Sequence, residues 1–439
     1  MADNTTSDTK HPSEERIGYL AIFRSSDYLR YQLARMVVVL ASEAQALTVS
    51  WQVYSITHRA IDLGYTGLVL FLPRLLVLLP AGHVADRYNR RNVILIFYAL
   101  QLLGSIALFL LAWNGPPPVW AIWTALFGIG LGRAFSGPAS TAMLPQLIDE
   151  KHFVLAVTWG SGIFQFANIT GPALGGVLYA LPLARMGLPR IQGAPIVYLF
   201  TMAALCFFLI MLAGVHPRPV AQEKRAISLK VLLAGFVYVR HSQMLLGSFT
   251  LDLFAVMLGG ATALLPIYAA GILRCGPTGL GVLRAAPAVG SLCMTFVLAR
   301  FPIRRKAGHK MFFGVAMYGL AIALFSCSRN LWLSALVLAI SGAADMFSVI
   351  VRQSILQLAT PQHMRGRVSA IASLCIGASN DIGEFESGVT AQWWGAVRAT
   401  LAGGIAAMAI AGAWTRLFPI LNRTDELTSE ALTRLVEER

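Results

Sequence analysis

Nine ionisable residues fall inside apolar stretches of this chain: Glu43, Arg74, Arg133, Asp252, Arg284, Asp345, Asp381, Glu384 and Glu386. A charge at the centre of a bilayer costs roughly 2.5–3.5 kcal/mol on insertion scales, so such residues are rare and tend to be functional. Carboxylates in that setting can exchange protons, and opposed charges can select a solute by its own charge. Asp381 and Glu384 are three residues apart and share a helical face, whereas Glu386 lies about 200° round from Glu384. Three arginines cannot neutralise six acids one for one. Asp381 and Glu384 are therefore the expected proton site, with Arg133, Asp252, Arg284 and Asp345 on the same pathway. A static bridge from Glu384 to Arg133 or Arg284 is the competing reading.

These residues need helices that cross a membrane to hold them. The chain has 439 residues, 56% hydrophobic and 13% charged, against roughly 25% charged in soluble domains. A spanning helix takes about 20 apolar residues, and an open backbone cannot satisfy its hydrogen bonds in hydrocarbon. Apolar stretches predict an all-α membrane protein of twelve transmembrane helices in two six-helix halves. The first six spans fall at 33–57, 63–85, 92–113, 119–143, 154–181 and 194–214. The second six fall at 244–269, 278–300, 309–327, 331–355, 367–392 and 397–418. The expected organisation is a tail (1–32), a bundle (33–214), a polar central loop (215–243), a second bundle (244–418) and a tail (419–439).

Charge sets the expected orientation. Only Arg59, Arg185, Arg190, Arg274, Arg329 and Arg398 occupy the loops of one side, and Arg74, Arg133 and Arg284 lie within spans. The remaining Lys and Arg residues are counted with the tails and the loops of the other side, Arg352 by elimination although it falls within the 331–355 span. The positive-inside rule then places both termini in the cytoplasm. The first 30 residues have no apolar core like that of a signal peptide.

The halves resemble each other at an offset of 212 residues. That offset pairs Gly130 with Gly342, Phe135 with Phe347, Ser136 with Ser348, Leu144 with Leu356, Ser161 with Ser373 and Asn168 with Asn380. Gly171, Gly176 and Val177 fall on Gly383, Gly388 and Val389, and Glu384 falls opposite Pro172. Parallel six-span repeats with a solute site at the midplane are a secondary-transporter architecture.

Between spans two and three the sequence runs Gly82-His83-Val84-Ala85-Asp86-Arg87-Tyr88-Asn89-Arg90-Arg91. Positive-inside charge accounts for the arginines but not for their spacing from Gly82 and Asp86. Here the chain resembles the major facilitator superfamily, with Val84 and Asn89 as departures from its usual Leu and Gly. The resemblance implies a cytoplasmic gate latching the halves together through Gly82, Asp86, Arg87, Arg90 and Arg91. In span five, Gly171-Pro172-Ala173-Leu174-Gly175-Gly176 combines a helix-bending proline with glycines for close packing. Its likeness to the superfamily's antiporter-type element implies export in exchange for protons. Arg133 and Gly137 have the spacing of a further superfamily motif, with Ser136 in place of its usual Gln. Leu251–Pro266, Gly342–Met346, Arg365–Ala370 and Gly377–Gly388 are similar to an enterobactin-exporter-like branch, in which siderophore exporters stand beside drug-efflux proteins.

No enzyme is expected: Gly128-x-Gly130-x-Gly132 sits inside an apolar span with no preceding strand. Cys206, Cys275, Cys293, Cys327 and Cys375 lack metal-ligand spacing. No cofactor, metal or nucleic-acid partner is expected, and the net charge of +14 is assigned to orientation and anionic headgroups. The expected protein is a monomeric, multi-pass transporter of the bacterial inner membrane, with a small amphipathic solute and protons as its partners. Uptake of a solute, or a scaffold or sensor role without transport, are the alternatives. An interior with more acids than arginines favours cations, whereas catecholate siderophores are anionic.

Overall fold

A computed structural model describes residues 25–149, 152–183, 187–218, 229–303 and 305–423. Most of the N-terminal tail, part of the central loop and most of the C-terminal tail lie outside that description, as does Arg185.

The described residues are nearly all helical, with no strand among them. The first half contains α1 (Ser26–Thr57), α2 (Ala60–Leu76), α3 (Leu78–Arg87), α4 (Arg90–Trp113), α5 (Val119–Leu147), α6 (Phe153–Ala180) and α7 (Ala194–Ala213). After α8 (Leu229–His241), the second half contains α9 (Gln243–Gly259), α10 (Leu265–Ile267), α11 (Gly276–Arg300) and α12 (Ala307–Cys327). It closes with α13 (Leu331–Ala359), α14 (Gln362–Trp394), α15 (Ala396–Leu417) and α16 (Pro419–Asn422). Among the described residues, nine helical stretches are long and apolar enough to cross a membrane. The expected spans outside that set are α2 with α3, α6 and α14, which carry the bends, glycines and charges singled out above.

Local chemistry explains the ends and breaks. Ser25 caps α1 by accepting from the Tyr28 amide at 3.4 Å. Asn330 caps α13 by accepting from Trp332 and Leu333 at 2.9 and 3.1 Å. The second expected span is interrupted at Val77, between α2 and α3. Pro80 supplies no amide for the preceding turn, which breaks the ladder there. The seventh breaks after α9, where Gly260 is extended. The carbonyls freed by that break do not go bare: Tyr318 donates to Gly259 at 3.0 Å and Ser387 to Gly260 at 2.7 Å. A π-helical turn, Tyr268–Ile272, follows.

The central segment is not simply a loop. Its last part forms α8, whose Gly235 packs on the Arg367 backbone of α14. Leu233, Phe236 and Val237 point outward from α8 as one exposed apolar face. Large apolar side chains also cover the outside of the bundle, including Ile210, Phe296 and Trp332 at 67%, 68% and 72% exposure. That is the surface hydrocarbon requires.

The repeat is visible in the packing. Helices α2 and α14 meet across the halves, and so do α6 and α11; the 212-residue offset turns one pair into the other. Glycines matched by the offset occupy matching contacts. Gly130 faces Leu70 O of α2, and Gly342 faces Pro287 O of α11. Gly171 packs on Leu40 and Glu43 of α1, and Gly383 on Met257 of α9. Gly176 meets Pro277 and Thr278 across the seam, while Gly388 meets Ala60 and Gly64.

Both ends of the described chain lie at one end of the bundle. Asp27 accepts from the His216 amide at 3.3 Å, Ser25 donates to Leu147 O at 3.4 Å, and Phe418 packs over Gly247. This is called the terminus end below, and the other the distal end.

A Cβ at Gly342 would lie 2.0 Å from Pro287 O, and one at Gly290 1.7 Å from Ala339 O. Gly342→Leu or Gly290→Leu is therefore expected to separate α11 from α13. The loss should appear as aggregated protein in size-exclusion chromatography, whereas Leu at Gly128, which has open space beside it, should leave a monodisperse peak.

Candidate functional site

The halves enclose a central cavity of about 560 Å³. Its wall takes Glu43 from α1, Pro172 from α6, Asp252 from α9, Arg284 from α11, Asp345 and Arg352 from α13, and Asn380 from α14. Five of these seven are charged, and every charged one lies inside an expected span. Tyr318 is the sole aromatic residue of the wall among the described residues.

The distal end of the seam is shut by backbone rather than by side chains. A Cβ at Gly388 would come within 2.8 Å of the Gly64 Cα, and one at Gly176 within 2.5 Å of Pro277 O. A Cβ at Gly281 would meet Pro172 O at 2.8 Å. Tyr65 and Phe385 pack their rings 5.7 Å apart beside these contacts. Gly175 approaches Ala44 of α1, with a built Cβ 2.7 Å from its Cα. The Gly171–Gly176 element thus uses Gly171 and Gly175 on α1 in its own half, and Gly176 across the seam.

Arg352 is the functional candidate that the sequence analysis assigned elsewhere. It is buried, bonded to Asp252 and 3.7 Å from Asp345. The correction has a simple physical basis. Arg352 is seven residues from Asp345 on one helix, two turns along the same face. That spacing was legible and points the guanidinium inward rather than to a loop. The interior therefore has a fourth arginine.

The expected pair Asp381 and Glu384 is held by different contacts. Asp381 is held by Arg74 at 3.4 Å across the seam between α14 and α2, which removes it from the set of unpartnered acids. Glu384 packs against Gly67 of α2, where a Cβ would lie 2.6 Å from its Oε2. Among the described residues neither Arg133 nor Arg284 makes an ion pair with Glu384 within 4.0 Å. Arg284 and Glu384 do share the lining of a small cavity of about 60 Å³, next to Gly67 and Thr262.

A further cavity, of about 390 Å³, lies between α2, α3, α5 and α14. Arg74, Gly82, Arg133, Gly137 and Gly377 line it. The motif that begins at Gly82 spans α3 and the start of α4. Arg87 is exposed, and the Asp86 side chain lies outside the description. Arg91 donates to the terminal carbonyls of α7, Leu212 O at 3.1 Å and Ala213 O, so these bonds stay within its own half. Among the described residues, the buried Arg90 Nε has no hydrogen-bond partner.

Comparison with known proteins agrees with this architecture. Residues 18–438 match the family model described as transmembrane secretion effector. The chain belongs to that family, within the major facilitator superfamily. Members of this superfamily are transporters rather than enzymes. The chain is 25% identical over 380 residues to the enterobactin exporter EntS of Shigella dysenteriae serotype 1, covering 86% of this chain and 84% of that one. EntS of Escherichia coli O9:H4 (strain HS) matches at the same identity and coverage. Among solved structures, a bacterial homologue of the human lysosomal transporter Spinster, inward-facing and unoccupied, superimposes with a TM-score of 0.71 at 14% identity, over 95% of this chain and 98% of that one. A bacterial homologue of the iron transporter ferroportin, inward-facing, gives 0.66 at 15% identity over 89% and 98%. These structural likenesses concern the fold alone.

The Asp252–Arg352 pair yields a prediction. Their side chains are 10% and 9% exposed. Removing one partner of a buried pair costs about 3–5 kcal/mol, because the other is left uncompensated. Asp252→Asn should lower thermal stability by that order, and the double variant Asp252→Asn with Arg352→Gln should recover most of it. An additive loss in the double variant would show that the two charges are not coupled.

Proposed function

We propose that this family member is a proton-coupled exporter of a small amphipathic solute, working by alternating access. It is read as a monomer of the bacterial inner membrane with both termini in the cytoplasm. The observation that carries the reading is the central cavity between the halves, closed at its distal end by backbone contacts at Gly176 and Gly388. With the termini cytoplasmic, the closed end is the outer one. Opening it and closing the terminus end would deliver the solute outward. The match to proteins named as enterobactin exporters supports export, and a siderophore-like or drug-like solute. Uptake by the same fold is the alternative, and it gives the opposite sign of solute movement.

Glu384 is the proposed proton site. It sits on the seam against Gly67, without an ion pair, so separating α14 from α2 would change what surrounds its carboxylate. Asp381, tied to Arg74, takes the lesser role of a seam contact. The segment Gly82 to Arg91 is the proposed gate at the terminus end, with Gly82 on the cavity that Ala370 and Gly377 of α14 also line.

Everted inner-membrane vesicles test the coupling. A linear catecholate siderophore and a panel of hydrophobic amines are added while a pH-sensitive dye reports proton movement. At least one compound should draw protons out of the vesicle lumen when the protein is present. Glu384→Gln should keep solute binding and lose that proton movement; a well-folded Glu384→Gln protein with unchanged coupling sinks the assignment. For the gate, Asp86→Asn and Arg87→Ala should reduce transport at near-normal abundance. Full transport by both would remove the latch role.

A further inference from the structure

The central cavity has an uneven charge count at one place on its wall. Asp252 and Arg352 are bonded to each other with side chains only 10% and 9% exposed, and together they are neutral. Asp345 is different. Its side chain is 40% exposed, it lines the cavity, and its carboxylate stands 3.7 Å from an Arg352 nitrogen. That is longer than a hydrogen bond. One guanidinium thus serves two carboxylates, and the one it serves poorly faces open space. Over the whole wall three acids, Glu43, Asp252 and Asp345, stand against two arginines, Arg284 and Arg352. The wall thus carries one net negative charge, and Asp345 is the acid that must share an arginine already bonded to another carboxylate.

We propose that Asp345 is the anchor for one positively charged group on the solute, so that the cargo is a cationic or zwitterionic amphiphile rather than an anion. The assignment rests on the transport reading above and adds to it the charge of the cargo and the residue that reads it. Arg352 acts as a positioning residue: held by Asp252, it keeps the Asp345 carboxylate at the wall without neutralising it. A solute ammonium or similar cation entering the cavity supplies the missing charge between protein walls of low dielectric, where opposite charges attract more strongly than in bulk water. Hydrogen-bond capacity nearby comes from Asn168 and Asn380. With Tyr318 as the sole aromatic of the wall among the described residues, charge rather than ring stacking carries the selection. An anion of equal size meets Asp345 as a like charge.

The test uses two probes of the same shape and opposite charge, tetraphenylphosphonium and tetraphenylborate. Binding to the full-length purified protein in detergent is measured by equilibrium dialysis. The phosphonium should bind at least about tenfold more tightly than the borate, a difference of about 1.4 kcal/mol. Asp345→Asn should remove that preference, and Asp345→Glu should restore part of it. Equal or tighter borate binding, absence of phosphonium binding, or a preference unchanged in Asp345→Asn overturns the proposal. The wild-type comparison decides even where Asp345→Asn fails to fold. Solute-driven proton movement in vesicles without charge preference in dialysis would fail this assignment alone and leave the exporter reading standing.

Discussion

The structure depends on how closely two half-bundles can approach without side chains between them. At the distal end, α14 lies on α2 and α6 on α11 so tightly that Gly64, Gly176, Gly281 and Gly388 leave no space for a methyl group. Small residues are the means by which helices pack in lipid, where no hydrophobic force drives them together. The contact is made of backbone surfaces rather than interlocked side chains. The same seam carries Arg74 with Asp381, and Glu384 against Gly67. A shift of one half against the other therefore alters packing and charge together.

The second constraint is the cost of leaving a charge unanswered inside the protein. The answers differ across the molecule. Asp252 and Arg352 answer each other fully, Asp381 and Arg74 do so across the seam, and Asp345 is answered in part. The repeat shows that this arrangement is not inherited symmetrically. The 212-residue offset places Asp345 at the position of Arg133 in the other half. Arg133 lines the cavity beside Gly82 while Asp345 lines the central one. Equivalent helix positions in the halves thus present opposite charges to different spaces.

Much of the fold was legible because the signals are periodic or compositional. Apolar runs marked most helices, and the offset glycines marked contacts that the structure repeats in each half. Gly176 and Gly388, paired by the offset, lie on the two sides of the distal closure, although the offset alone did not say what they contact. Local hydropathy could not show the break at Val77 or the one after Gly259, because both preserve an apolar run while interrupting the backbone ladder. The helix α8 was hidden for the opposite reason, since its apolar face is short and set among charges. Arg352 was misplaced by counting charge near a span end without asking which face it occupied. Asp381 and Glu384 share a face, yet their different partners come from α2, and no pattern within their own helix reports what a neighbouring helix brings.

The central claim is that the halves close at one end while they open at the other. Spin labels placed on cysteine-free protein at Asn114 and Arg329 report the distal end, and labels at Tyr88 and Phe301 report the terminus end. Pulsed electron–electron distance distributions would be measured for each pair at acidic and neutral pH. The account predicts opposite shifts: the distal pair separates under the condition in which the terminus-end pair approaches. Distances that change in the same direction at both ends, or at neither, would contradict it.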